Sequence, residues 1–387
     1  MFTKIEAKRY RCLREVSQSL KPFEILVGAN ASGKSTFLDS IVFVSDLVRG
    51  GAQNAVRRRT SNFEDLVWGR RDSALTFRID AQIPEKERLF TATRSDAKSV
   101  CYTVSIRLDS VTRKLEITDE SFTIVEAAST RALIARSGDV VIYTSESGSE
   151  RIERQRLRTE SSLKGVPSDS EFPATAWFRD LLEEGIKTVD LDPRELSKPS
   201  PLSRSGNEDR IGGSDLAWWI DALQHETPPV RFREWLSHVR TALPDIHEID
   251  SVLQQWNNER YVRVEYQNGL KVPSWMLSEG TLRLLALTIL AYLPDPDGVY
   301  LVEEPENGVH PSALETIYKS LSSVYEAQVL VASHSPVLLG MALPEQLLCF
   351  STGPDGTQIV RGSEHPALQD WRGEVSLGTL VASGILG

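Results

Sequence analysis

Four short stretches of this chain carry residue types and spacings suited to chemistry on a phosphate. The first is Gly28-Ala29-Asn30-Ala31-Ser32-Gly33-Lys34-Ser35, which fits the spacing GxxxxGK[ST]. Its glycines let the backbone bend tightly, so that successive N–H groups point at one anion. In that frame Lys34 reaches the β- and γ-phosphates, the Ser35 hydroxyl binds Mg2+, and the Thr36 hydroxyl meets a phosphate. Gly28, Asn30, Ala31, Ser32, Gly33, Lys34, Ser35 and Thr36 are therefore the expected cradle for ATP. The second stretch, VYLVEE at 299–304, is an apolar strand ending in Glu303 and Glu304. At the carboxyl end of a strand one acid can orient Mg2+ and another can polarise the attacking water. Glu303 suits the first task and Glu304 the second.

The third stretch ends in Ser333-His334-Ser335-Pro336, where His334 can hydrogen-bond a γ-phosphate and hold the water. The other five histidines (His225, His238, His247, His310, His365) are expected to be structural. The fourth, Leu277-Ser278-Glu279-Gly280-Thr281, opens a helix whose capping hydroxyl and first N–H groups form an anion site. The P-loop already cradles one set of phosphates, so this second phosphate-facing helix implies another nucleotide.

The elements that must position these groups follow from periodicity. FTKIEA, LREVSQSL and FEILVG alternate like strands, and the third runs directly into the glycine-rich turn. A helix follows, with apolar residues at helical spacing, and is expected to stop at Gly50–Gly51. Short strands at 99–145 suggest an antiparallel lobe. The Ser-rich segments 146–170 and 196–214 read as long exposed or partly disordered loops. Helical patterns lie between and after them. From about residue 270, helices alternate with strands, which implies a largely parallel sheet that also takes the strand before the P-loop. The expected organisation is an N-terminal half of a nucleotide domain at 1–98, a β lobe at 99–145, a loop-rich and helical insert at 146–269, and the C-terminal half at 270–387.

Bulk properties bound the function. The chain has 387 residues, 40% hydrophobic and 25% charged. That length exceeds the roughly 250–300 residues at which one core stops growing, so two or three units are expected. Its net charge of −10 offers no general attraction to DNA, so nucleic-acid binding would need a local basic patch. The candidates are Arg57–Arg59 with Arg70 and Arg71, and the RIERQRLR stretch at 151–158. Three cysteines (Cys12, Cys101, Cys349) without a CxxC pair suggest neither a disulfide framework nor a zinc site. No apolar run reaches the ~18–20 residues of a membrane span. The N-terminal residues lack a signal peptide's apolar stretch. A soluble, cytoplasmic protein with no membrane partner is expected.

In their order, LVGANASGKST, LSEGTLRLLAL, VYLVEEPENGVHP and VASHSP resemble the ABC-type ATPase superfamily. More narrowly they resemble the SMC/RecF/OLD-like bacterial ATPases of the AAA_21 kind. The resemblance covers most of the chain and is strongest at both ends. It implies an α/β fold, a P-loop NTPase mixed sheet with an antiparallel β lobe and an inserted, mainly helical region. It also implies ATP hydrolysis with Mg2+, Glu304 as catalytic base, His334 as switch histidine, Lys34 on the phosphates and Asn307 in the D-loop. Ser278, Glu279 and Gly280 become a signature motif acting in trans, in a homodimer that sandwiches two ATPs. The family's setting implies anti-phage defence with a separately encoded effector such as a nuclease, or DNA repair in the manner of RecF with DNA bound under ATP control. Three features depart from the pattern. The signature reads LSEG rather than LSGG. Glu303 stands where Asp is usual. The glutamine that would contact the metal has Gln82 as candidate and Gln53 behind it. Arg11 is a candidate for base or ribose contact. The residues after His334 include Asp355, Glu364, Asp370 and Glu374 without a strand-borne DxD, so no TOPRIM nuclease is expected there.

Overall fold

The computed structural model describes residues 1–70, 74–85, 98–126, 129–154, 158–166, 168–201, 210–294, 297–369, 371, 373 and 375–386. Arg71, residues 155–157 of the basic stretch, Asp370 and Glu374 lie outside them. The chain divides into two units. The first comprises 1–21, 30–186 and 350–360, and the second 22–29, 187–349 and 361–387.

The strands are β1 (Phe2–Tyr10), β2 (Leu13–Ser19), β3 (Phe23–Gly28), β4 (Leu75–Gln82), β5 (Ser99–Leu108), β6 (Leu115–Val125), β7 (Thr130–Ser137), β8 (Val140–Thr144) and β9 (Glu150–Arg154). They continue with β10 (Ile186–Val189), β11 (Arg210–Ile211), β12 (Ile246–Leu253), β13 (Arg260–Tyr266), β14 (Lys271–Pro273), β15 (Val299–Glu303), β16 (Gln328–Ala332), β17 (Leu347–Gly353) and β18 (Gly356–Arg361). The helices used below are α1 (Lys34–Arg57), α2 (Pro173–Glu183), α3 (Leu216–Gln224), α4 (Val230–Ala242), α5 (Glu279–Ile289) and α6 (Leu314–Ser322).

Period-two burial builds the first unit. In β4, Leu75, Phe77, Ile79 and Ala81 point inward while their neighbours are half-buried or exposed, so the strand has one apolar face and belongs in an antiparallel sheet. The observed order is β2-β1-β4-β5-β6-β7-β8-β9. Helices cover its inner face. Phe43 of α1 lies 5.4 Å from the Tyr10 ring and 5.1 Å from Phe77. Phe178 of α2 packs on Phe122 and Tyr102 at 5.3 and 5.7 Å. Such ring pairs add roughly 0.5–1.5 kcal/mol each beyond their burial.

Two expectations change here. Helix α1 does not stop at Gly50–Gly51: it breaks at Gly51 (φ 79°, ψ 172°) and resumes to Arg57. The carbonyl of Thr159 accepts from Ala52 N at 2.8 Å, replacing the bond that the break removes. Nor is 146–170 simply an exposed loop. Residues 150–154 form β9 antiparallel to β8, and Ser161, Ser162 and Leu163 are buried. The polar composition misleads because those serines are consumed by a buried carboxylate, Glu120. It accepts from Ser161 Oγ at 2.5 Å and Ser162 N at 2.7 Å.

The second unit follows a different pattern. Residues 299–302 of β15 and all of β16 are buried, as strands covered on both faces must be. Its sheet includes, in order, β11-β10-β15-β16-β3, with β15, β16 and β3 parallel. Glu24 is the charged exception inside β3, and the Arg361 guanidinium meets it through two nitrogens at 2.9 and 3.1 Å. Helices α4, α5 and α6 share the apolar core, and Trp235 Nε1 donates to Thr288 Oγ1 at 3.0 Å. The separate sheet β12-β13-β14 is antiparallel and leads into α5. The whole is a mixed α/β fold with antiparallel and parallel sheets.

Candidate nucleotide site

The glycine-rich turn leaves β3 at Gly28 and enters α1 at Lys34. In the first unit Gly33 caps α1 with φ 106°, and the helix start has neither a side-chain cap nor an acidic residue. Early N–H groups of a helix left without such a cap suit an anion. The turn is held from behind. Thr357 Oγ1 donates to the Ser32 carbonyl at 3.0 Å, and Thr357 N donates to the Cys12 carbonyl at 3.1 Å. A Cβ on Gly33 would strike the Thr357 hydroxyl and come within 3.2 Å of Cys12 Sγ. Conformation and space therefore both demand glycine at 33. Asn30, Ala31 and Ser35 are exposed, Lys34 and Thr36 half-buried, and Ser32 buried. A turn offering N–H groups, a lysine and hydroxyls, with no carboxylate in its first turn, fits a polyphosphate.

Asp39, further along α1, accepts from Tyr10 Oη at 2.5 Å and pairs with Arg11 at 3.1 Å and Arg59 at 2.6 Å. Burial, reinforced by the Asp39 charge, pushes the Tyr10 phenol well up, so it stays a donor. Arg11 is thus engaged by a carboxylate of its own unit.

Register sets where the parallel strands of the second unit end. Ala332 of β16 lies opposite Leu26 of β3 and Glu303 of β15. Glu304 N then donates to the Ala332 carbonyl at 2.8 Å, and Ser333 N to the Leu26 carbonyl at 3.1 Å. Three parallel strands therefore end together, and Gly28, Glu303–Glu304 and Ser333–His334 leave from one sheet edge. Both glutamates and His334 are exposed there. Glu304 adopts φ 48°, a left-handed conformation that costs a side-chain-bearing residue roughly 1–2 kcal/mol. It is held by Asn307, whose Nδ2 donates to Glu304 Oε2 at 2.5 Å. His334 Nδ1 lies 3.7 Å from Glu304 Oε1 and equally far from Glu306 Oε1. Glu306 Oε1 also accepts from Ser333 Oγ at 2.8 Å and His334 N at 3.0 Å.

At the start of α5 the Ser278 hydroxyl accepts from Thr281 N at 3.2 Å, and Glu279 pairs with Arg283 at 3.1 Å. A Cβ on Gly280 would sit 2.5 Å from the Gly308 carbonyl, so this turn packs directly on the loop that follows Glu304. Ser278 and Glu279 are exposed.

Gln82 is not brought to the P-loop. It ends β4 beside Met1, its N donating to the Met1 carbonyl at 2.9 Å, whereas Cys12, next to Gly33, follows the far end of β1. Eight strand steps separate Phe2 from Tyr10, about 26 Å at 3.3 Å per residue. Period-two patterning identified the strand but not which end faces the turn. Gln53 fares no better, lying nineteen residues along α1 from Lys34, about 28 Å at 1.5 Å per residue. Several described arginines of the proposed basic patches are paired with acids. Arg58 pairs with Asp46, Arg59 with Asp39 and Asp46, Arg70 with Asp65, Arg151 with Glu153 and Arg158 with Glu116.

Among the described residues no group of three or more His, Cys, Asp or Glu could hold a metal by itself. Mg2+ beside a nucleotide needs only one or two protein oxygens, the phosphates supplying the rest. A hydroxyl such as that of Ser35 and a carboxylate such as that of Glu303 are, by chemistry alone, oxygen donors of that kind. Two further residues bond to candidate site residues although the sequence did not single them out. Glu306 acts across 27 positions and Thr357 across 325. The only local signal was a third acid two residues after Glu304.

A glycine-rich turn between strand and helix, with an acid pair and a histidine at the ends of adjacent parallel strands, has the form of a P-loop nucleotide-binding domain. The family model described as "AAA domain, putative AbiEii toxin, Type IV TA system" matches residues 24–340, and the chain belongs to that family, AAA_21. Among solved structures it is similar to an Smc head bound to the C-winged helix domain of ScpA (TM-score 0.58, 15% identity, 93% of this chain and 97% of that one). It is also similar to an Smc head domain with an extended coiled coil, from Pyrococcus furiosus, bound to the C-terminal domain of ScpA (TM-score 0.54, 14% identity, 93% and 95%). At such identities the likeness is one of fold. No protein of curated function matches the sequence. Among the described residues no helix is long and apolar enough to cross a membrane.

Proposed function

We propose that this protein is an ATP-hydrolysing molecular switch that closes as a dimer around two ATP molecules and opens on hydrolysis. The observation that carries the reading is the shared edge of β3, β15 and β16, where the P-loop, two carboxylates and a histidine begin. In this reading Lys34 and the N–H groups of the turn bind the β- and γ-phosphates, with Asn30, Ala31, Ser32 and Thr36 lining the cradle. Mg2+, held by Ser35 and Glu303, neutralises charge on the phosphate oxygens. Asn307 occupies Oε2 of Glu304, which leaves Oε1 to take the proton from the attacking water. His334, beside that oxygen, holds the water and the γ-phosphate in line.

Ser278, Glu279 and Gly280 would act on the ATP of a second copy, which suits an exposed, capped helix start. The family description names a toxin–antitoxin system, and that supports a role in anti-phage defence with a separately encoded effector. A RecF-like role on DNA draws less support, because Arg58, Arg59, Arg70, Arg151 and Arg158 are paired with acids. Sedimentation tests the dimer. Glu304→Gln with saturating ATP and Mg2+ should sediment as a dimer and Lys34→Ala as a monomer. A Glu304→Gln protein that stays monomeric with ATP bound contradicts the closed state.

A further inference from the structure

Glu306 occupies a place that needs explaining. Its side chain is 10% exposed. Oε1 accepts two hydrogen bonds, while Oε2 is buried with no hydrogen-bond partner among the described residues. A buried carboxylate oxygen without a donor is costly, and such groups call for a reason other than stability. Both donors to Oε1 come from the turn that carries His334: the Ser333 hydroxyl and the His334 backbone N–H. Glu306 itself sits in the loop that carries Glu304 and Asn307. The His334 ring is half-exposed, so packing alone does not fix it. Its Nδ1 stands 3.7 Å from both Glu304 and Glu306, beyond hydrogen-bond length to either.

We propose that Glu306 is a positioning residue that ties the His334 turn to the Glu304 loop and thereby sets the spacing between base and switch histidine. The inference rests on Glu304 acting as the base. One carboxylate oxygen bridges the two loops just past the last register pair, Glu303 with Ala332. Backbone bonds hold the chain as far as Glu304 N and Ser333 N, and Glu306 ties the two loops just beyond them. The orphaned oxygen is the cost of placing a charged acceptor where both donors reach it.

The test separates positioning from mere structure. Steady-state turnover of Glu306→Ala should show kcat down by about tenfold or more, the worth of hydrogen bonds to a charged group, with KM within about twofold. Glu306→Gln keeps an oxygen acceptor and should recover kcat to within about fivefold of the parent, the difference between a charged and a neutral acceptor. Ser333→Ala removes one donor and should lower kcat by several-fold. Combined with Glu306→Ala it should add nothing, because Ser333 acts through Glu306. Parental kcat in a folded Glu306→Ala, or a lowered melting temperature with kcat intact, overturns the proposal. If Glu306→Ala does not fold, Ser333→Ala decides, and parental kcat there overturns it equally. Glu304→Gln run alongside keeps the two readings apart. Normal turnover by that variant removes the base, whereas loss of turnover there with a normal Glu306→Ala removes only the tie.

Discussion

Two buried glutamates, one in each unit, show what the two sheets are for. Glu120, on β6 of the antiparallel sheet, is saturated. It accepts from Tyr102 Oη, Ser161 Oγ and Ser162 N, and Arg136 lies 3.6 Å away, both charged side chains being fully buried. Burial pushes the Tyr102 phenol well up and the Arg136 guanidinium down, as expected inside a closed network. Glu306, at the exit of the parallel sheet, satisfies one oxygen and strands the other. A satisfied buried network specifies a core, and a half-satisfied one is tolerated where geometry serves something else. Apart from Glu24 with its Arg361 partner, residues 23–28 of β3, 299–302 of β15 and 329–332 of β16 are apolar, and the acids and histidine gather at the strand ends.

Breaking Glu120 should therefore cost stability and spare chemistry. Glu120→Ala leaves Arg136 buried and unpaired, so thermal or denaturant unfolding should show a loss of about 3–5 kcal/mol. The kcat of the folded variant should stay within about twofold, because only folded molecules turn over. A large fall in kcat at full folding would erase the contrast between the units. Lys34→Ala should do the reverse. Calorimetric ATP affinity should fall by about tenfold or more, the worth of a charged hydrogen bond to phosphate, with the melting temperature hardly moved.

Thr357→Val tests the turn from within the first unit, where Thr357 and Ser32 both lie. Losing its bond to the Ser32 carbonyl should weaken ATP binding by about threefold to tenfold, and Thr357→Ser should restore it. Unchanged affinity in Thr357→Val would mean that the turn keeps its shape unaided. The smallest effect concerns Glu146, whose carboxyl burial raises above the usual range despite its bond from Ala174 N. A raised acid contributes stability at low pH that is lost as pH rises through its folded value. Glu146→Gln should therefore melt higher than the parent at neutral pH, with the gap closing on acidification. A gap that widens at low pH would reverse the sign.

What could be read in the sequence was local. Strand, turn and helix around Gly28–Lys34 are adjacent in the chain, and β15 and β16 announce themselves as unbroken apolar runs ending in polar residues. Ser278 was legible as a cap because its partner is three residues away. What escaped depends on register and return paths. Gln82 sits on a correctly located strand, but only the pairing of β1 with β4 shows that it ends beside Met1. Thr357 meets Ser32 through a hairpin formed near the end of the chain, with no nearby pattern to mark it. The arginine-rich run at 57–59 was a candidate patch because the acidic partners of Arg58 and Arg59, Asp39 and Asp46, lie about three to six helical turns earlier.

The most direct test is phosphate release by Glu304→Gln under single-turnover conditions, with ATP binding measured on the same sample. Binding should match the parent while release slows by about a hundredfold or more, the usual worth of a positioned general base. Release at the parental rate with ATP bound would mean that the proton goes elsewhere, and that the carboxylate at the end of β15 is not the base.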